Sequence, residues 1–169
     1  MAEYKLHCFA QSGNSYKVAL LLALADADWE PVWVDFFNGG VRTPDYLALN
    51  EMGEVPLLEH GELQLSQSGV ILDYLAQRYR DFGPRSEAER REILRWTLWD
   101  NHKLTSYIAS LRYLMKFVPE DRTDQTVIAW LTARAGNALK VLDRHLFTNE
   151  WIAADRVTTV ARFLALLEL

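Results

Sequence analysis

The order of strands and helices predicted for the first half of the chain constrains its fold more than any other feature. Residues 4–9 and 29–36 are predicted strands, the second of them rich in β-branched and aromatic residues, and residues 15–26 between them place apolar side chains at helical spacing. A short helix follows, then a hairpin of residues 55–59 and 62–65, then another helix. This order, β-α-β and then β-β-α, predicts one mixed sheet with helices packed against it.

A different pattern begins after the turn residues at 81–84. Residues 86–117 and 123–145 each carry apolar side chains at helical spacing over several turns. We therefore place a domain boundary near residue 83, with an α/β domain over residues 1–80 and an all-helical domain over residues 86–169. The chain has 169 residues, which is enough to bury two small cores.

Composition excludes several classes of function. The net charge is −5 at pH 7 and neither half is strongly basic, so nucleic-acid binding is not expected. No targeting signal is visible, and the longest apolar run is far shorter than the ~20 residues of a membrane helix, so no membrane association is expected. Cys8 is the only cysteine and lies inside the first predicted strand, where a buried structural thiol in a reducing cytoplasm is expected. The four histidines lack metal-ligand spacing, so we expect no metal and no cofactor.

The dipeptide Val55-Pro56 stands where the first strand of the hairpin begins. X-Pro bonds are the common place for a cis peptide, and a cis bend there would turn the backbone N–H and C=O of Val55 outward, unpaired. An extended peptide would then add to this edge as an extra antiparallel strand. The alternative interpretation is a proline that is simply tolerated at the start of a strand.

Two helix starts carry the other candidate residues. Gln67 and Ser68 open the helix after the hairpin, where exposed N–H groups and the helix dipole favour an anion such as a carboxylate. Ser12 and Asn14 lie between the first strand and the first helix, where a hydroxyl is able to hydrogen-bond a thiol and stabilise its thiolate. The alternatives are plain helix capping by Ser66 or Ser68 at the first place and a turn-and-cap cluster at the second.

These motifs, at these spacings, resemble those of the cytosolic glutathione transferases. The matching stretches are SGNSYKVALLLAL, TPDYLALNEMGEVPLLEHGELQLSQSGVILDYLAQRY and the Trp-rich helix after residue 86. The resemblance covers residues 3–160 and is stronger in the first domain than in the second. It implies a thioredoxin-like first domain, an all-helical second domain, a cytoplasmic homodimer, and a glutathione-dependent transferase with a role in detoxification.

The resemblance also implies roles for single residues. Val55, before Pro56, would pair by its backbone with the cysteinyl part of glutathione, the co-substrate. Gln67 and Ser68 would hold the γ-glutamyl end, and Ser12 would stabilise the thiolate.

Further roles follow from the same resemblance. Asn14 matches an asparagine of bacterial nu-like members, which reduce disulfides with glutathione. Asp100 matches an acidic position that reaches the γ-glutamyl amine across a dimer interface. The side chains expected to line a pocket for a small hydrophobic electrophile, unless they are helix-core residues, are Trp99, Tyr107, Leu111 and Tyr113.

The chain departs from the family pattern in two places. Many relatives have Lys before the Val-Pro, near the glycyl carboxylate, where this chain has Glu54; Arg42, His7 or a water would substitute. Relatives also open a buried helix with Thr-x-x-Asp, but here Thr159 is followed three residues later by Arg162, and the sequence stops at residue 169. We therefore expect a C-terminally truncated helical domain, produced by a frameshift or present in a naturally short member.

Three functions remain open from the sequence. The first is a glutathione transferase that activates the thiolate for attack on a small hydrophobic electrophile. The second is a nu-like glutathione-dependent disulfide reductase. The third is a non-catalytic binding module that has kept the fold and lost turnover. The presence of Val55, Gln67 and Ser68 argues against lost glutathione binding, since a pure scaffold needs none of them.

Overall fold

The computed structural model describes residues 2–160, which divide into two compact units. The first unit ends at Gly83 and the second begins at Pro84. The first is α/β and the second is helical, so the predicted fold class is confirmed. Arg162, which stands where relatives have a capping Asp and from which we predicted a truncated helical domain, lies outside the described residues. Within residues 2–160, no helix combines the length and apolar character that a membrane span requires.

A four-stranded sheet lies at the centre of the first unit. β1 (Tyr4–Cys8) and β2 (Trp29–Trp33) run parallel, whereas β3 (Leu57–His60) is antiparallel to β1, and β4 (Leu63–Ser66) is antiparallel to β3. The order across the sheet is β2-β1-β3-β4. The crossover from β1 to β2 therefore contains a helix, as parallel neighbours require.

Three helices accompany this sheet: α1 (Gly13–Leu24), α2 (Pro44–Leu49) and α3 (Ser68–Arg78). α2 begins as its Thr43-Pro44 sequence suggests, because the Thr43 hydroxyl accepts a hydrogen bond from the Tyr46 N–H at 3.3 Å. α1 and α3 bury their apolar side chains with those of the sheet in one core. Its members are Tyr4, Leu6, Val18, Leu21, Leu22, Leu58, Ile71, Leu72 and Leu75.

The second unit contains α4 (Glu87–Trp99), α5 (Ser106–Phe117) and α6 (Gln125–Thr148). A π-helical segment, Asp100–Thr105, joins the first two. The core of the second unit is formed by side chains of these helices, of the π-helical segment and of the segment after α6. Its buried members are Ile93, Trp96, Leu104, Ala138, Leu142, Ile152, Ala153 and Val160.

Capping fixes the start of α4. The Ser86 hydroxyl accepts from the Glu89 N–H at 3.1 Å, and the Glu89 carboxylate accepts from the Arg85 N–H and from Arg156, each at 2.8 Å. The Arg156 guanidinium, with the Arg85 N–H, lowers the pKa of Glu89. This carboxylate therefore ties the segment after α6 to the first turn of α4.

Several predicted boundaries were wrong. Residues 34–36 do not extend β2, because Phe36–Asn38 form a 3₁₀ turn that is closed by the left-handed Gly39. Residues 86–117 are not one regular α-helix, because a π-helical segment, Asp100–Thr105, interrupts them; within it the Thr105 hydroxyl donates to the Asp100 carboxylate five residues earlier. α1 begins two residues before the predicted start because Ser12 caps it.

Candidate active site

The first turn of α1 presents the hydroxyl of Ser12. Ser12 has extended backbone geometry at the N-cap, and its Oγ accepts a hydrogen bond from the Ser15 N–H at 3.1 Å. Because the oxygen acts as an acceptor in that bond, the hydroxyl keeps its hydrogen for donation. Ser12 is 9% exposed, so an anion that reaches this hydroxyl is partly withdrawn from water. A thiolate is an anion of the kind that such a donor stabilises, and the helix dipole acts in the same direction.

The start of α3 differs from the predicted serine cap. Gln67 occupies the N-cap with a left-handed φ of 67°, and it makes no side-chain capping bond within residues 2–160. Ser68 is the first helical residue, and its hydroxyl donates to Asn14 Oδ1 at 3.4 Å. The prediction that Ser66 or Ser68 caps this helix was therefore wrong. The result is a helix N-terminus whose first N–H groups are left for another acceptor.

The contact between Asn14 and Ser68 brings two helix N-termini together. Asn14 lies in the first turn of α1 and Ser68 begins α3, and the structure places their side chains in hydrogen-bonding contact. Both helices thus direct the positive ends of their dipoles to the same region. Such a region favours two neighbouring anionic groups, for example a carboxylate and a thiolate.

The segment before β3 supplies an open backbone edge. The Val55–Pro56 peptide bond is cis, which confirms the expectation from the sequence. The pairing of β3 with β1 and β4 begins at Leu57, so Val55 lies just outside the hydrogen-bonded ladder. The carbonyl before it, that of Glu54, accepts from the Tyr46 hydroxyl at 2.9 Å and from Asn50 Nδ2 at 2.8 Å.

Charged groups surround this edge unevenly. The exposed Glu54 carboxylate accepts from Gln67 Nε2 at 3.0 Å, which places a negative charge beside the start of α3. The Arg42 guanidinium is exposed, and one of its nitrogens lies 2.8 Å from where a side-chain carbon on Gly53 would stand, two residues before Val55. His7 is 7% exposed and bound to Glu59, so its predicted availability to a carboxylate was wrong. Arg42 is the cation that remains near the edge among the predicted candidates.

Cys8 and Tyr46 have shifted acidities. Burial raises the pKa of the Cys8 thiol, which lowers its thiolate fraction and fits the predicted structural role. Burial also raises the pKa of Tyr46 to about 12, so its hydroxyl stays protonated and continues to donate to Glu54 at neutral pH.

The residues predicted in the helical half all lie in the second unit. Asp100 is 3% exposed and accepts from Thr105 Oγ1 at 2.7 Å, so its carboxylate is buried within that unit. Trp99 is half-buried and packs edge-to-face on Trp96, with ring centroids 5.2 Å apart. Tyr107 makes a similar contact with Trp130, at 5.7 Å.

The remaining two predicted pocket residues differ in exposure. Leu111 is half-buried on α5, and Tyr113 is 47% exposed on the same helix. The exposed ring of Tyr113 is therefore available to an apolar molecule, whereas Trp99 is a packing residue of the helical core.

Two features of the site escaped the sequence reasoning. The left-handed backbone of Gln67 had no sequence signal, because glutamine is not a residue typical of that conformation. The contacts of Tyr46 and Asn50 did have a sequence signal, namely their spacing. Residues four apart share a helix face, and a Tyr and an Asn that are buried there need hydrogen-bond partners. No group of three or more His, Cys, Asp and Glu within the described range is arranged to hold a metal ion.

Comparison with known proteins gives consistent matches. Residues 2–77 match the family model described as Glutathione S-transferase, N-terminal domain. A maleylacetoacetate isomerase from Pseudomonas aeruginosa is 32% identical over 161 residues, which are 90% of this chain and 74% of that protein. The crystal structure of a possible glutathione S-transferase from Rhodopseudomonas palustris is 40% identical, with a TM-score of 0.88, and the match covers 95% of this chain and 73% of that one. A theta class glutathione S-transferase from Xanthomonas axonopodis pv. citri with glutathione bound is 28% identical, with a TM-score of 0.90, over 97% of this chain and 80% of that one.

Proposed function

This chain belongs to the glutathione S-transferase family, and we propose that it activates the thiol of glutathione for attack on a small apolar electrophile. The observation that carries this proposal is the meeting of two helix N-termini at the Asn14–Ser68 contact, beside a serine hydroxyl that retains its hydrogen. A tripeptide with a carboxylate at its γ-glutamyl end and a central thiol matches that pair of anion-binding positions.

Each part of glutathione has a proposed partner in the first unit. The γ-glutamyl carboxylate lies at the start of α3, where the Ser68 hydroxyl and the N–H groups of the first turn donate to it. The amide of Gln67 contacts the same end of the tripeptide. The backbone of Val55, before Pro56, pairs with the cysteinyl part, and Arg42 neutralises the glycyl carboxylate.

Ser12 then acts on the sulfur. Its hydroxyl donates a hydrogen bond to the thiolate, which stabilises the charged form and lowers the pKa of the thiol. With a chlorinated aromatic acceptor, the sulfur forms a bond to the carbon that carries chlorine, and chloride leaves with the electron pair of the broken bond. The thiol proton goes to solvent. We propose that Tyr107, Leu111 and Tyr113 offer an apolar surface to small molecules within the second unit, whereas the burial of Asp100 and Trp99 favours structural roles for these two residues.

A second candidate is reduction of disulfides by glutathione. The resemblance of Asn14, in the first turn of α1, to an asparagine of nu-like members that reduce disulfides supports it. In that reaction the thiolate attacks one sulfur of a disulfide, a mixed disulfide forms and a thiol leaves. A second glutathione then completes the reduction.

Assays on the purified protein distinguish between these two reactions. Retention on immobilised glutathione tests binding. Parallel rates with a chlorinated aromatic acceptor, with hydroxyethyl disulfide and with maleylacetoacetate, after which the 32% identical relative is named, test the chemistry. Turnover of the aromatic acceptor is expected to be the fastest. Binding without turnover of any acceptor would contradict a catalytic function and favour a binding module.

We also propose a cytoplasmic homodimer. Exposed apolar side chains on the first unit support a partner surface, since Val70 is 52% exposed and Met52 is 49% exposed. The single, half-buried cysteine suits a reducing compartment. Light scattering during size-exclusion chromatography would test the oligomeric state, and a monomer at micromolar concentration would contradict it.

A further inference from the structure

Two buried side chains, Tyr46 within α2 and Asn50 directly after it, hold the backbone carbonyl of Glu54, the residue before Val55. The Tyr46 hydroxyl and Asn50 Nδ2 both donate to the Glu54 carbonyl, at 2.9 Å and 2.8 Å. Tyr46 is 6% exposed and Asn50 is 4% exposed, so neither donor is well placed to exchange its partner for water. Two buried donors that converge on one loop carbonyl fix the orientation of its peptide group.

That peptide group also contains the N–H of Val55. The Glu54–Val55 bond is trans, since the cis bond within residues 2–160 is the next one along the chain. In a trans peptide the C=O and the N–H point in opposite directions. Holding the Glu54 oxygen towards α2 therefore aims the Val55 N–H away from α2, on the side where Val55 is proposed to pair with glutathione.

Asn50 adds a second constraint on the same turn. Its Oδ1 accepts from the Met52 N–H at 3.2 Å while its Nδ2 donates to Glu54, so a single amide side chain bridges the turn between α2 and β3. Hydrogen bonds to the carbonyl also polarise the peptide group, which makes the Val55 N–H a better donor.

We propose that Tyr46 and Asn50 are positioning residues for glutathione: by holding the Glu54 carbonyl, they aim the Val55 N–H at the cysteinyl carbonyl of the tripeptide. This inference rests on the proposed function. Neither residue touches the sulfur, so both act on binding of the tripeptide more than on the chemical step. The two bonds share one acceptor, so either alone keeps most of the orientation.

Three variants test this arrangement with a matched control. Tyr46→Phe and Asn50→Ala each remove one donor, and the double variant removes both. Tyr74→Phe is the control, because it deletes a hydroxyl that bonds His60 at 2.6 Å in the same unit, away from the Glu54 turn. The melting temperature of each variant shows that it is folded at the assay temperature.

Steady-state kinetics with saturating acceptor give the first readout. Each single variant is expected to raise the KM for glutathione roughly threefold to fivefold, as the loss of one hydrogen bond does, with kcat changed less than about twofold. The double variant is expected to exceed the product of the two single effects, because the remaining donor no longer compensates. Tyr74→Phe is expected to leave the KM unchanged.

A glutathione analogue gives a readout that a merely structural role would not move. A thioamide at the cysteinyl carbonyl is a weaker hydrogen-bond acceptor, so it is expected to bind the wild-type protein roughly fivefold more weakly than glutathione does. In the double variant this penalty is expected to shrink below about twofold, because the N–H is no longer aimed at that carbonyl.

The outcomes separate the inference from the function on which it rests. If glutathione binds the wild type, an unchanged KM in the folded double variant or an undiminished thioamide penalty would overturn the positioning role alone. If the wild type binds no glutathione, both the proposed function and this inference are overturned.

Discussion

The N-termini of α1 and α3 lie side by side in the first unit, yet they use serine in opposite ways. At α1 the hydroxyl of Ser12 caps the helix by accepting from Ser15 N–H. At α3 the N-cap is Gln67 in a left-handed conformation, and the hydroxyl of Ser68 points to Asn14 instead of capping its own helix. One helix start is closed by its own side chain, and the other is left open.

The difference shows how the same element serves two purposes. A capped start gives a rigid position from which a hydroxyl donates, which suits stabilisation of a thiolate. An open start leaves backbone N–H groups for an external acceptor, which suits a carboxylate. The open start is costly for the free protein, since its N–H groups lack a side-chain partner and Gln67 adopts a strained backbone. Costs of this kind are commonly found where a ligand binds.

Ser12→Ala is expected to have the largest effect. Loss of the hydrogen bond to the thiolate lowers kcat/KM roughly 10-fold to 150-fold, and loss of the cap lowers the free energy of unfolding by about 1 kcal/mol. Because the hydroxyl favours the charged sulfur, its removal raises the pKa of bound glutathione, so the rate in the variant rises at higher pH than in the wild type. Rates measured across pH, together with denaturant unfolding, check both effects.

Ser86→Ala is the matched control for that variant. Ser86 caps α4 with the same geometry, accepting from the Glu89 N–H at 3.1 Å, but it belongs to the second unit. The control is expected to lose about 1 kcal/mol of stability without a shift in the pH profile. An equal loss of activity in both variants would mean that Ser12 acts only as a cap.

Ser68→Ala is expected to weaken glutathione binding more than it destabilises the fold. The affinity for glutathione falls roughly tenfold, as expected for a lost hydrogen bond to a carboxylate. The free energy of unfolding falls by less than ~1 kcal/mol, because Ser68 caps nothing and loses only the long bond to Asn14. Titration calorimetry and denaturant unfolding give the two values. Ser66→Ala, two residues earlier, is the control and is expected to leave the affinity unchanged. A large loss of stability with unchanged affinity would reverse the contrast between α1 and α3.

Gln67 offers a test of the strain at the open start. The backbone φ is 67° at this position, and glycine alone adopts such a backbone without a steric cost. The free energy of unfolding of Gln67→Gly is therefore expected to be about 1 kcal/mol higher than that of Gln67→Ala. Both variants lose the side-chain amide and are expected to bind glutathione equally weakly. Equal stability of the two variants would show that the left-handed conformation is absent in solution.

Glu54→Gln is expected to have the smallest effect and to act in the favourable direction. The exposed carboxylate of Glu54 accepts from the Gln67 amide and repels an anionic tripeptide, so its neutralisation lowers the KM for glutathione roughly twofold. The gain is expected to disappear at high salt, which screens exposed charges. Weaker binding by this variant would instead assign Glu54 to the ammonium group of the γ-glutamyl end.

The features that the sequence predicted best are the ones set by local chemistry. The start of α2 at Thr43-Pro44 follows from proline and capping preferences alone, and the cis bond before Pro56 lies at the residue type that makes a cis peptide accessible. The start of α3 was predicted wrongly because serine is a strong capping residue, whereas the contact of Ser68 with Asn14 comes from another helix and is not encoded in the neighbouring residues.

The second unit was harder to predict from the sequence for a different reason. Apolar periodicity predicts which face of a helix is buried, but it does not distinguish the packed ring of Trp99 from the exposed ring of Tyr113. Apolar periodicity also does not predict the π-helical segment Asp100–Thr105, since one extra residue in a helical turn leaves most apolar spacings unchanged. The hydrogen bonds of Tyr46 and Asn50 to Glu54 likewise join a helix to a loop that only the folded chain brings close.

A crystal structure of the protein grown with saturating glutathione tests the central claim most directly. We expect the γ-glutamyl carboxylate within hydrogen-bonding distance of the Ser68 hydroxyl and backbone N–H, the cysteinyl part paired with Val55, and the sulfur within about 3.5 Å of Ser12 Oγ. Glutathione bound with its glycyl end at the start of α3, or a site that stays empty at saturation, would contradict the account.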